Sequence, residues 1–141
     1  MGFFSLKSQS QKEKETTVKN AIAVMLADGK IDPNEMKLLS VICQRVGLSE
    51  KQLKAILENP QSIEFTPAKN QNERAQQLID MVAMMMVDGD IDSREVEILI
   101  HLASKLGFRP SSVTELVKHI INELGKNREV NEVNIDVAAY L

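Results

Sequence analysis

Two stretches of this chain repeat one another at a fixed distance. "ADGKIDPNEMK", Ala27 to Lys37, returns as "VDGDIDSREVE", Val87 to Glu97. Asp28, Gly29, Ile31, Asp32, Glu35, Leu39 and Gly47 each have the identical residue sixty places on, with no insertion between the first match and the last. Self-similarity at a constant offset marks an internal duplication, in which one structural unit is used twice and the copies bury their apolar faces together. Whatever the first half folds into, the second half must fold into as well.

The unit reads as three helices. Val18, Ile22, Met25 and Leu26 recur at helical spacing, and Leu38, Leu39, Ile42 and Val46 make a second apolar face. Gly47 closes that helix, and Ser49 opens a third carrying Leu53, Ile56 and Leu57. "NPQSIEFTPAKNQN", Asn59 to Asn72, holds two prolines and reads as a linker. The same order then returns, through Leu78, Ile79, Val82, Met85 and Met86, the acidic turn, Ile98, Leu99, Leu102 and Leu106, Gly107, and finally Val113, Leu116, Val117, Ile120 and Leu124. The tail "NREVNEVNIDVAAYL" predicts a short last helix with Val133, Val137 and Tyr140 inward. Residues 1–16 read as a flexible segment, because "SLKSQSQKEKET" is polar with no sustained period; Phe3 and Phe4 are its apolar exception. No strand pattern stands out. The expectation is an all-α fold over residues 17–141, with repeats 18–57 and 78–117 as two pseudo-twofold-related three-helix halves plus the C-terminal helix. In it Leu38, Leu39 and Ile42 meet Ile98, Leu99 and Leu102 or share one core with them.

Composition narrows the function. The chain has 141 residues, 43% of them apolar, which supports one core. Seventeen basic against twenty acidic residues leave a net charge of −3, which fits cations or proteins as partners and argues against nucleic acid. The single cysteine, Cys43, leaves no intrachain disulfide or cysteine metal cage, so a cytoplasmic setting is expected. No apolar run approaches the roughly 20 residues of a membrane span, and the start resembles no secretion signal. Gly2 fails as a myristoylation site because Leu6 stands where Ser or Thr is needed.

The acidic turns admit two readings. In the first, Asp32 and Asp92 are N-caps, Pro33 and Ser93 open the helices, and Glu35 and Glu95 reach back to the cap N–H in a capping box. Gly29 and Gly89 then supply the turn. Asp28 and Asp88 are left unexplained by capping. In the second, Asp28, Asp32, Glu35, Asp88, Asp90, Asp92 and Glu95 are oxygen ligands for a weakly held divalent cation, Mg²⁺, Ca²⁺ or Mn²⁺. Set against a calcium-binding EF-hand loop, the motif supplies only the second half, since Val24 and Leu26, or Met84 and Met86, fall where the first ligands belong. A true EF-hand is excluded. On charge count the second turn is the better cation site, because Lys30 repels from the first.

Two D-G-x-I-D-x-x-E turns, each between an apolar helix and a helix ending in Gly followed by Leu or Phe, resemble the tellurite-resistance TerB-like domain over about residues 18–124. The resemblance implies a bacterial all-helical domain with acidic metal-binding candidates at Asp28, Asp32, Glu35, Asp88, Asp92 and Glu95. It implies a role in membrane-linked stress or surveillance systems, with protein partners and a place at the inner membrane face, rather than catalysis.

Other chemistry is poorly supported. Glu97 and His101 are an i, i+4 pair, but two ligands do not make a zinc site. Cys43 aligns with Ala103, as a small core residue would. Met81, Met84, Met85 and Met86 suggest a sticky surface, since four so close cannot all be buried, although Met85 matches Met25 and so belongs to the core. With no phosphate loop and no nucleophile arrangement, the expectation is a non-catalytic binding or scaffold module, the alternative being a metal-ion sensor or buffer.

Overall fold

The polar stretch before Thr17 is where structure and sequence reading first part. In the computed structural model, which describes residues 8–27, 29–87, 89 and 91–126, helix α1 (Gln9–Leu26) starts at a Ser8 cap whose hydroxyl accepts from the Gln11 N–H at 3.0 Å. Residues 9–16 are therefore its first two turns and no flexible lead-in. The reason is that Glu15, Thr16 and Thr17 are buried and partly bonded. Thr16 Oγ1 donates to the Glu64 carbonyl at 3.1 Å and accepts from the Thr66 N–H at 2.8 Å, and Lys19 Nζ donates to the Ile63 carbonyl at 2.8 Å. Polar side chains imply mobility only when water is their partner; here the partner is backbone.

That backbone is the segment read as a linker. After α2 (Pro33–Val46), α3 (Glu50–Glu58) and a 3₁₀ turn at Pro60–Ser62, the chain runs extended to α4 (Gln71–Met86). Ile63 and Ala68 are buried along it. Gln77 Oε1 accepts from the Ala68 N–H at 3.0 Å, and Arg74 Nε donates to the Ala68 carbonyl at 2.9 Å. The segment is a strap fastened to α1 and α4 by side chains, which supply the partners a strand would otherwise find in a sheet.

The described residues hold six α-helices and no strand, ending with α5 (Ser93–Lys105) and α6 (Pro110–Leu124). The fold is all-α. Phe3, Phe4 and the expected C-terminal helix with Val133, Val137 and Tyr140 lie outside the described residues. Helix α1 packs on α2, α3, α4 and α5, and α4 packs on α5, α6, α1 and α2. Exchanging the halves turns one list into the other. The burial pattern of residues 31–40 also repeats position for position over 91–100.

The centre of the core is the α1–α4 pair. Leu78, Ile79, Met81, Val82, Ala83, Met84 and Met85 are all buried, so α4 is apolar nearly all round, as a helix enclosed by neighbours must be. This corrects the sticky-surface reading: of the four methionines only Met86 is even partly exposed. Leu39 and Ile42 of α2 and Leu99 and Leu102 of α5 enter one common core rather than facing each other directly, while Leu38 and Ile98 stay half-buried.

The helix ends repeat too. Gly47 and Gly107 sit at φ of 85° and 99°, and Leu48 and Phe108 after them donate back to the carbonyls of Cys43 and Ala103 at 2.9 and 3.2 Å. Only glycine holds that left-handed geometry cheaply, and the buried Leu48 and Phe108 staple the turn to the core. A cation stands over each end. Lys14 Nζ lies 3.8 Å from where a Cβ on Gly47 would be, and Arg74 Nη1 lies 3.3 Å from that point on Gly107. Lys14 and Arg74 are again sixty apart, and each suits the negative end of the helix it covers.

Candidate functional site

The capping reading of the acidic turns holds in both copies. Asp32 Oδ1 accepts from the Asn34 N–H at 2.7 Å while the Asp32 N–H donates to Glu35 Oε1 at 3.1 Å. In the second turn the matching bonds, Arg94 N–H to Asp92 Oδ1 and Asp92 N–H to Glu95 Oε1, are 2.7 and 3.2 Å. Glu35 and Glu95 are both buried. Asp28, Asp88 and Asp90 lie outside the described residues. The turns differ in one respect: Arg94 Nε and Nη2 also grip Asp92, at 3.0 and 2.9 Å, where Asn34 has nothing comparable to offer Asp32.

The bond from the Arg94 side chain, with that from its backbone N–H, holds the Asp92 carboxyl down to about 2. Because that lies below the ordinary value of 3.8, the stabilisation is present above 3.8 and is lost as pH falls through about 2. Asp32→Ala is expected to destabilise the fold by about 0.5–2 kcal/mol in denaturant melts, the usual cost of a lost cap.

Between the caps and the glycines stands the least expected feature of the turns. Ile31 is 62% exposed and Ile91 49%, at equivalent positions. Neither residue serves the core or the cap. Among the described residues no group of three or more His, Cys, Asp or Glu is placed to hold a metal ion. His101 and Glu97 are exposed on α5, and Cys43 is buried, its thiol pushed up to about 11 by burial.

A second polar feature went unnoticed in the sequence. Asp80 of α4 is fully buried, and the Arg45 guanidinium of α2 forks onto it, Nη1 to Oδ1 at 2.9 Å and Nη2 to Oδ2. Gln76 Nε2 adds a bond at 3.2 Å. Burial raises the Asp80 pKa, and Arg45 and Gln76 pull against that rise. The pair opens on a cleft of about 280 Å³ between α1, α2, α4 and the strap, lined also by Glu13, Lys14, Glu73 and Gln77.

Comparison with known proteins supplies one match. The chain aligns with DUF533, described as a protein of unknown function, over residues 5–120. It belongs to DUF533. DUF533 is a TerB-like family, so the resemblance carried by the two acidic turns holds at that level, without the tellurite-resistance label. No curated protein and no solved structure matches the chain. The DUF533 match spans both acidic turns, the strap and every residue lining the cleft.

A signal for Asp80 was available. It interrupts "LIDMVAMMM", and a lone carboxylate in an apolar helical run calls for a cation or hydrogen-bond donors against it. Which cation it finds, Arg45 from another helix, is tertiary information that spacing does not carry.

Proposed function

We propose that this DUF533 chain is a non-catalytic TerB-like module that binds a protein partner through the tips of its two acidic turns. The observation that carries the reading is the exposure of Ile31 and Ile91. Each would gain roughly 1–2 kcal/mol if its exposed part were covered, and a duplicated unit leaves that gain unclaimed twice at the same position. Half-buried Asp32 and Asp92 stand directly beside them, polar neighbours of the kind found at the rim of a specific interface. The setting we infer from TerB-like membership is a bacterial membrane-linked stress response of tellurite-resistance type, on the cytoplasmic side and peripheral to the inner membrane. Among the described residues no helix is long and apolar enough to cross a membrane.

The test is retrieval of partners from the native host with wild type and with Ile31→Ser/Ile91→Ser. These exposed substitutions should move stability by no more than about 0.5 kcal/mol each, yet strip away the specific partner. A double variant that keeps its fold and its partner would remove the proposal.

A second reading is a divalent-cation site in the same turns. What favours it is convergence: each capping box draws two carboxylates, Asp32 with Glu35 and Asp92 with Glu95, onto one backbone segment. Oxygen ligands suit Mg²⁺, Ca²⁺ or Mn²⁺, at the ~10⁻³ M end of calcium-loop affinities. Arg94 changes the ranking drawn from charge alone, since a cation at the second turn must displace it from Asp92. An amide-resonance titration with Ca²⁺ and Mg²⁺ should therefore show Arg94→Ala strengthening binding around Val87–Glu97. Silence in wild type and variant alike would end the metal reading.

A further inference from the structure

The two halves of the molecule act as controls for each other. Asp80 and Arg45 tie α4 to α2, and the residues sixty places away, Asn20 and Lys105, make no such pair. Asn20 is buried with its side-chain nitrogen unpartnered, while Lys105 reaches over the Phe65 ring, 4.3 Å from its centre. The same architecture is thus built at this position without an ion pair. Burying a charge is costly even when it is paired, so packing alone does not account for Asp80. A charge pair that the fold does not require, bordering a concavity, is a mark of a ligand site.

The remaining lining defines what such a ligand must be. Gln77 is spent on the Ala68 N–H and, through Nε2, on the Glu13 carbonyl at 3.2 Å; the Thr17 hydroxyl donates to that same carbonyl at 3.1 Å. The open capacity is ionic. Glu13 from α1, Glu73 from α4 and Lys14 line the cleft, and among the described residues none of the three side chains forms an ion pair or hydrogen bond. Glu13 and Glu73 are sixty apart, equivalent carboxylates brought into one cleft from the two central helices. With Asp80 they set three negative charges against Lys14 and Arg45, which favours a ligand of net charge about +1.

We propose that this cleft binds a small molecule of the basic amino-acid class, its two cationic groups facing Glu13 and Glu73 and its carboxylate facing Lys14, beside the Arg45–Asp80 pair. A volume of about 280 Å³ falls at the small end of ligand pockets and matches that size of molecule. The site lies on the N-terminal half of α1, at the other end of that helix from the first acidic turn, so it is independent of the partner surface proposed above.

The experiment is an amide-resonance titration of the full chain with L-arginine, citrulline and agmatine. Citrulline keeps the shape and loses the side-chain charge; agmatine keeps the cations and loses the carboxylate. Arginine should give saturable shifts over residues 10–17 and 73–80, with citrulline, and Glu13→Gln/Glu73→Gln with arginine, each roughly tenfold weaker. Lys14→Met should weaken arginine and spare agmatine. Thermal melts of these solvent-facing variants confirm that the fold is intact. Absence of saturable shifts in those two segments overturns the proposal, as does citrulline binding as well as arginine. Lys14→Met weakening agmatine as much as arginine would overturn the assigned orientation.

Discussion

Arg45→Met lowers the stability of this chain by about 3–5 kcal/mol near neutral pH, because it strands the fully buried Asp80 carboxylate without its guanidinium. The loss shrinks as pH falls. Burial already raises the Asp80 pKa against the opposing pull of Arg45, so removing Arg45 raises it further. A raised folded-state value means that the charged form is the penalised one, and the penalty is relieved once acid protonates the group. Asp80→Asn is expected to cost far less, since Asn20 shows that the architecture accepts a buried asparagine at the equivalent position. Adding Asp80→Asn to Arg45→Met should restore most of the stability. Urea melts of the four proteins across pH measure all of this, and a double variant no better than Arg45→Met would show that the pair is not the source of the loss.

Met84→Ala is expected to cost about 2–5 kcal/mol and Met86→Ala much less. The two residues are near neighbours on one helix and differ in where they point. Met84 is completely buried between α4 and its packing partners, whereas Met86 is partly exposed as the helix ends. Truncating Met84 leaves a cavity in a core that cannot collapse onto it from four sides. Equal melting temperatures for the two variants would contradict the enclosed position of α4.

The duplication made the fold legible. Gly47 and Gly107, the Asp32 and Asp92 caps and the stripe Leu39–Ile42 against Leu99–Leu102 all state local rules, and each rule was confirmed by reading it twice. What stayed hidden were contacts that no local rule contains. Thr16 fell in the segment read as flexible and Lys19 drew no reading at all, because nothing in their neighbourhood tells that the strap's carbonyls lie 44 to 48 residues away. Asp80 passed without notice, because its partner is 35 residues back on another helix. For the candidate site, the caps were read correctly from D-x-x-E. The exposure of Ile31 and Ile91 was not, since an isoleucine between a glycine and a cap carries no sign of which way it faces.

If the tips of the two acidic turns are a partner surface, they touch that partner in living cells. A photo-reactive amino acid placed at position 31 or 91 of the full chain in its native host should give adducts of one shared mass, containing the same protein. The same probe at Lys54, exposed on α3, should not. Adducts from position 54 matching those from 31 and 91, or none from either isoleucine while the probe reacts elsewhere, would show that the tips are not a partner surface.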